Sequence, residues 1–169
     1  MPHIMDVQAR IHEIVWHVKR VDGVSAIVLG GSRARGTHTP QSDIDLAIYY
    51  HPDHALDLNA LDLVAAELDD SHRPGILTPI GGWGPWINGG GWLSIRAQPV
   101  DFLYRDLSQV ATVIEACHSG EMEIIYQPGH PHGFVLSRQE EYRTSRCCVR
   151  CRLLLSGCRL YTPSYICAQ

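Results

Sequence analysis

Apolar residues at Ile4, Val7, Ile11, Ile14, Val18 and Val21 recur every three or four positions. That spacing predicts one face of an amphipathic helix over roughly the first twenty residues, ended by Asp22-Gly23. Val24 to Leu29 is a nearly unbroken apolar run of β-branched or small residues and predicts a buried strand. Gly30 to Gly36 is a glycine-rich turn able to open a short helix, and Thr37 to Ser42, with Pro40, is a loop. Ile44 to Tyr50 predicts a second strand. Leu61, Val64, Ala65 and Leu68 place a helix over about Leu56 to Leu68, stopped by Asp69-Asp70 and Pro74.

Residues 76 to 104 break this regularity, with Trp83, Trp86 and Trp92 set among six glycines. Glycines there suggest turns or close backbone approach rather than long strands. The expectation is a strand near Ile76 to Ile80, a glycine-rich hairpin with Asn88 as a turn residue, and strands near Trp92 to Arg96 and Pro99 to Tyr104. Asp106 is placed to cap a helix running to about His118, with Leu107, Val110, Ala111 and Ile114 on its buried face. A last short strand is expected at Glu121 to Tyr126. Interleaved strands and helices define an α/β (α+β) chain with a mixed sheet flanked by helices. Residues 1–137 form the expected domain, and residues 138–169 an irregular Arg- and Cys-rich tail of unknown role, read as a truncated or altered end.

Composition narrows the class. The chain of 169 residues is 45% hydrophobic and 19% charged, ordinary for a globular domain. Its longest apolar runs fall far short of the ~20 residues of a membrane span, and no secretory signal is visible, so a cytoplasmic address is expected. Residues 1–137 carry 8 Lys or Arg against 16 Asp or Glu, an acidic body that disfavours general nucleic-acid binding. The tail is basic, which leaves an anionic protein partner open, although plain exposed arginine is the favoured reading. Five of the six cysteines crowd the last 23 residues. Cys148-x-x-Cys151 lacks a second well-spaced pair, so free thiols are expected rather than zinc. His130-Pro131-His132 and His38 are read as solvent-facing.

The chemistry concentrates in Gly30-Gly31-Ser32 and, ten residues later, Asp43-Ile44-Asp45-Leu46. Side chains alternate along a strand, so Asp43 and Asp45 share a face while Ile44 and Leu46 point into the core. Two adjacent carboxylates repel and desolvate badly unless a cation compensates, and a hard divalent ion such as Mg²⁺ suits them. Gly30 and Gly31 let backbone N–H groups approach a phosphate, Ser32 adds a hydroxyl, and Arg33 and Arg35 can add forked bonds to phosphate oxygens. Asp101, a charge inside the apolar stretch Val100 to Tyr104, is the third candidate carboxylate. If its strand neighbours that of Asp43, the three can hold two ions roughly 4 Å apart for an in-line displacement, with Asp101 also taking the acceptor's proton. The run lacks the Gly-Lys-Ser/Thr of a P-loop.

Leu29-Gly30-Gly31-Ser32 through Ser42-Asp43-Ile44-Asp45-Leu46 resembles the signature of the nucleotidyltransferase superfamily, whose fold is that of the DNA polymerase β palm. Asp101 matches its later carboxylate. Within the superfamily the chain is similar to small bacterial nucleotidyltransferase-domain proteins, over roughly residues 5 to 135, including Gly82 to Trp86 and Val100 to Asp106. The resemblance implies transfer of a nucleoside monophosphate from an NTP, ATP by expectation, to a hydroxyl of a small molecule or protein, with two Mg²⁺ and release of pyrophosphate. It implies Asp43, Asp45 and Asp101 as catalytic and metal-binding residues. Gly30, Gly31 and Ser32 become nucleotide ligands, with Arg33, Arg35 and Ser42 as helpers. The atypical tail motivates an alternative: a non-catalytic nucleotide-binding module of a toxin–antitoxin-type or regulatory complex. Trp83, Trp86 and Trp92 are open to two uses, a stacking wall for a ring or cover for the glycine-rich segment.

Overall fold

The computed structural model describes residues 5–120 and 160–161. The expected strand at Glu121 to Tyr126, the 137/138 boundary, His130-Pro131-His132 and the five clustered cysteines lie outside the described residues. Helix α1 (Met5–Val18) leads into β1 (Ala26–Leu29), α2 (Gly31–Arg35), β2 (Ile44–Tyr50) and α3 (Leu58–Leu68). Then follow β3 (Gly89–Ile95), β4 (Gln98–Asp106), α4 (Leu107–Ser119) and β5 (Leu160–Tyr161). The sheet order is β3-β4-β2-β1-β5. Pairing is parallel between β2 and β4 and antiparallel elsewhere, so the sheet is mixed as expected. Pairing of Leu160 and Tyr161 with Val28 and Ile27 adds an edge strand that the sequence does not signal.

The two faces of the sheet differ because side chains alternate. One face carries Ile44, Leu46 and Ile48 from β2, Val100, Phe102 and Tyr104 from β4, and Leu93 and Ile95 from β3, all buried. Helices α1 and α3 close that face through Ile11, Ile14, Val18, Leu61 and Ala65. Burial of each large aliphatic residue here stabilises the fold by about 1.5–3 kcal/mol, which pins the register: a slip by one residue would turn this row outward. The same register leaves Asp45 and Asp101 on the opposite face.

Three expectations for residues 76–106 are corrected. Ile76 to Ile80 is not a strand: the Gly75 and Leu77 N–H groups donate to the Asp62 carboxylate of α3, and Thr78 N–H donates to Gly90 O. The segment is tied down by side chains instead of a ladder. Gly89, Gly90 and Gly91 are not a turn but the first half of β3. A Cβ on Gly90 would run into Phe102 O and the Trp83 ring, and one on Gly91 into Leu77 and Ile76 O. Asn88 is not a turn residue. It is buried; its N–H donates to Tyr104 O, its Oδ1 accepts from Asp106 N–H and its Nδ2 donates to Pro85 O.

The β3–β4 reversal falls at Arg96 and Ala97, both at positive φ (52° and 59°), the conformation of a two-residue I′ turn. Asp106 caps α4 as expected, its Oδ1 accepting from the N–H groups of Ser108 and Gln109. Of the face expected on α4, Leu107 and Val110 are half-buried and Ala111 is exposed, while the Ile114 side chain lies outside the described residues.

Candidate functional site

The parallel register sets Asp45 beside Asp101. With Asp43 just before β2, each of the three offers a carboxylate oxygen, and these oxygens lie within 4.8 Å of one another. Asp43 is exposed and the other two are half-buried. Burial, then the like charges of Asp45 and Asp43, push the Asp101 carboxyl up to about 6. Oxygen donors of one sign, crowded and partly open to solvent, form the donor set that a hard divalent cation prefers. The residues present fit such an ion.

Gly30 and Gly31 stand against Asp45. Gly30 N–H donates to Asp45 O at 2.8 Å. Gly31 sits at φ +60°, and a Cβ there would overlap Asp45 Oδ2. Only glycine lets the chain turn this closely over the carboxylate while starting α2. The first-turn residues Gly31, Ser32 and Arg33 have N–H groups without a partner inside the helix. Gly36, at φ +72°, ends the helix, with its N–H and that of Thr37 returning to Arg33 O and Ser32 O.

A scan against protein families matches residues 11–80 to the nucleotidyltransferase domain. That segment carries a nucleotidyltransferase domain. No curated protein matches the chain significantly. The matched segment includes Asp43 and Asp45 and stops short of Asp101, so Asp101 joins the cluster through the β2–β4 pairing rather than through the family match.

Against this nucleotidyltransferase frame, the expected helpers divide. Arg33 is partly buried and holds the backbone before Asp43: Nε donates to Asp43 O at 2.8 Å and Nη2 to Ser42 O. Burial draws its guanidinium below the usual arginine range, opposed by Asp43 and Asp45. Ser42 Oγ accepts from Thr39 N–H at 2.9 Å and so shapes the loop. Arg35 is exposed. His38 is also exposed, as expected.

Gln98 was missed in the sequence. It is buried at the start of β4, and its Nε2 donates to Ser42 O at 2.9 Å, so Ser42 O is held from both sides of the site. A lone glutamine beside a hairpin carries no spacing signal that could have disclosed this. The aromatic residues also divide. Trp83 and Trp86 are half-buried, while Trp92 is 66% exposed and pairs with Trp83 at 4.8 Å between ring centroids. Among the described residues no helix is long and apolar enough to cross a membrane.

Proposed function

We propose that this chain is a Mg²⁺-dependent nucleotidyltransferase that moves a nucleoside monophosphate from ATP to a hydroxyl acceptor. The observation that carries the reading is the meeting of Asp43, Asp45 and Asp101 oxygens within 4.8 Å, directly beside the Gly30-Gly31 turn. Asp43, Asp45 and Asp101 would hold Mg²⁺, which supplies charge neutralisation and polarisation of phosphate oxygens. The N–H groups of Gly31 and Ser32, with the Ser32 hydroxyl, bind the β and γ phosphates. Arg33 and Gln98 keep Ser42–Asp43 in place, so Asp43 faces Asp45 and Asp101 without a search over loop conformations.

In the step itself, the acceptor oxygen forms a bond to the α-phosphorus while the bond from that phosphorus to the bridging oxygen breaks. Pyrophosphate leaves with the bonding pair. The acceptor's proton passes to the Asp101 carboxylate, half-buried on its strand beside Asp45. A cytoplasmic location belongs to this reading.

Label transfer from α-labelled ATP into small hydroxyl compounds and cell extract, with Mg²⁺, tests the proposal. Label incorporated by the wild type and lost in Asp45→Asn, with the same circular dichroism spectrum, supports it. Tight binding of a non-hydrolysable ATP analogue without any transfer would instead favour the nucleotide-binding module.

A further inference from the structure

The open face of the sheet has a definite order. Across neighbouring strands lie Gly30 at the end of β1, Asp45 on β2, Asp101 on β4 and Trp92 on β3, each beside the next. Strands are spaced by about 4.8 Å, so Trp92 lies one strand beyond Asp101 and on the far side of the carboxylates from the glycine turn. In-line displacement at phosphorus puts the attacking oxygen opposite the leaving oxygen. With pyrophosphate leaving toward Gly30-Gly31, the acceptor enters from the Trp92 side.

Trp92 stands open on that side. It is 66% exposed, whereas its strand neighbours Gly91 and Leu93 are buried. Its ring lies against Trp83 with a tilt of 32°. Trp83 can lie close along the strand because Gly90 has no Cβ: one placed there would meet Cζ3 and Cη2 of the indole. The missing side chain thus makes room for the ring that backs Trp92. A braced aromatic face loses little conformational freedom on binding and offers a broad apolar surface.

Resting on the transferase reading, we propose that Trp92, backed by Trp83, is the acceptor platform, and that the acceptor is a ring compound without negative charge whose flat face stacks on the indole while its hydroxyl reaches Asp101. Even with Mg²⁺ bound, the three carboxylates and the triphosphate together leave the site net negative, which disfavours an anionic ring. Stacking on one aromatic face gives about a tenfold to hundredfold difference in affinity. Trp92 is here a binding and specificity residue, separate from the chemical step.

The test uses the full chain, Mg²⁺ and α-labelled ATP with three acceptor sets: aryl alcohols, methyl pyranosides, and acyclic polyols such as sorbitol. The expected result is label on one or both ring classes and not on sorbitol; which class is labelled identifies the ring chemistry. Trp92→Ala should raise KM for that acceptor about tenfold or more, Trp92→Phe should restore most of it, and KM for ATP should stay within about twofold. Equal labelling of sorbitol, or a rise in KM for ATP in place of the acceptor's, overturns the platform. If no compound is labelled, the transfer reading is decided by the cell-extract assay above, and the platform is judged separately by NMR of the indole Nε1–H signals. Shifts of the Trp92 and Trp83 signals by phenyl pyranoside and not by sorbitol, lost in Trp92→Ala, uphold a ring site. Unmoved signals overturn it.

Discussion

Two acidic groups in this molecule, Asp69–Asp70 and Asp43–Asp45–Asp101, look alike in sequence and differ in what neutralises them. Asp69 is buried, which pushes its carboxyl up, but donation from the Ser71 hydroxyl and the Ser94 and Ser71 N–H groups outweighs this and leaves it below the usual range. Asp70 is held below it by the N–H of Ala97, the Ser94 hydroxyl and the N–H of Arg96. The protein itself satisfies both, and in return they fasten the end of α3 to the β3–β4 turn. Asp101 is shifted the other way, by burial and by like charge. Aspartates supplied with donors by their own chain are structural. Aspartates crowded against one another call for a cation from outside.

The largest effect expected from this contrast is on turnover. Asp45→Asn should lower pyrophosphate release by about a thousandfold, the scale of losing a principal electrostatic contributor, with Tm unchanged or raised. Asp69→Ala should do the reverse. It removes the acceptor for Ser94 N–H and Ser71 N–H and should cost about 2 kcal/mol of stability, read as a shifted denaturation midpoint, with KM for ATP little altered. If Asp69→Ala abolished turnover in a protein that melted normally, the division into structural and functional aspartates would fail.

The pH dependence of the metal-free protein separates the groups by sign. Asp101 has its pKa raised on folding, from 3.8 to about 6. Its neutral form is the one the fold favours, so that stability is present below 3.8 and is lost as pH rises through about 6. Asp101→Asn should therefore stabilise the metal-free chain at pH 7.5, by something on the order of 1 kcal/mol once solvent screening of a half-exposed group is allowed for. It should also flatten the Tm profile across this window. Asp69, lowered on folding, contributes stability present above 3.8 and lost as pH falls through its folded value. Asp69→Asn should flatten only that acid limb. Mg²⁺ at ten times its Kd should raise wild-type stability by about 1.4 kcal/mol, and the gain should shrink in Asp101→Asn.

Much of this contrast is legible in the chain, and the reason it is not fully so is physical. Ile44 to Tyr50 is found at its exact bounds because apolar and polar positions alternate around Asp45 and one face is buried. The Gly30-Gly31-Ser32 and Asp43-x-Asp45 spacing marks the site because both ends lie within one local β1–α2–β2 unit. Asp101 is 56 residues beyond Asp45, and only the parallel pairing of β2 with β4 brings them together; register of that kind leaves no local pattern. Gly89 to Gly91 misread as a turn because the atoms that demand glycine, Phe102 O and the Trp83 ring among them, belong to other segments. The turn at Arg96 and Ala97 falls one residue before the break expected between Arg96 and Pro99, because neither residue is a turn-forming type.

That turn supplies the smallest prediction and a sharper form of the comparison. Arg96 and Ala97 hold left-handed backbone that costs a residue with a Cβ roughly 1–2 kcal/mol. Asp70 accepts both of their N–H groups, at 2.7 and 2.8 Å. A structural aspartate thus stands where the turn sequence is locally unfavourable, and its hydrogen bonds offset the strain. Ala97→Gly removes the Cβ conflict and should raise stability by about 0.5–1 kcal/mol, the added freedom of unfolded glycine consuming part of the gain. The two sites should also be coupled: Asp70→Ala should lower Tm less in the Ala97→Gly background than in the wild type. A double-mutant cycle on thermal unfolding checks this. Strict additivity would mean that Asp70 merely binds the turn without compensating for its backbone, and the strain argument would have to be abandoned.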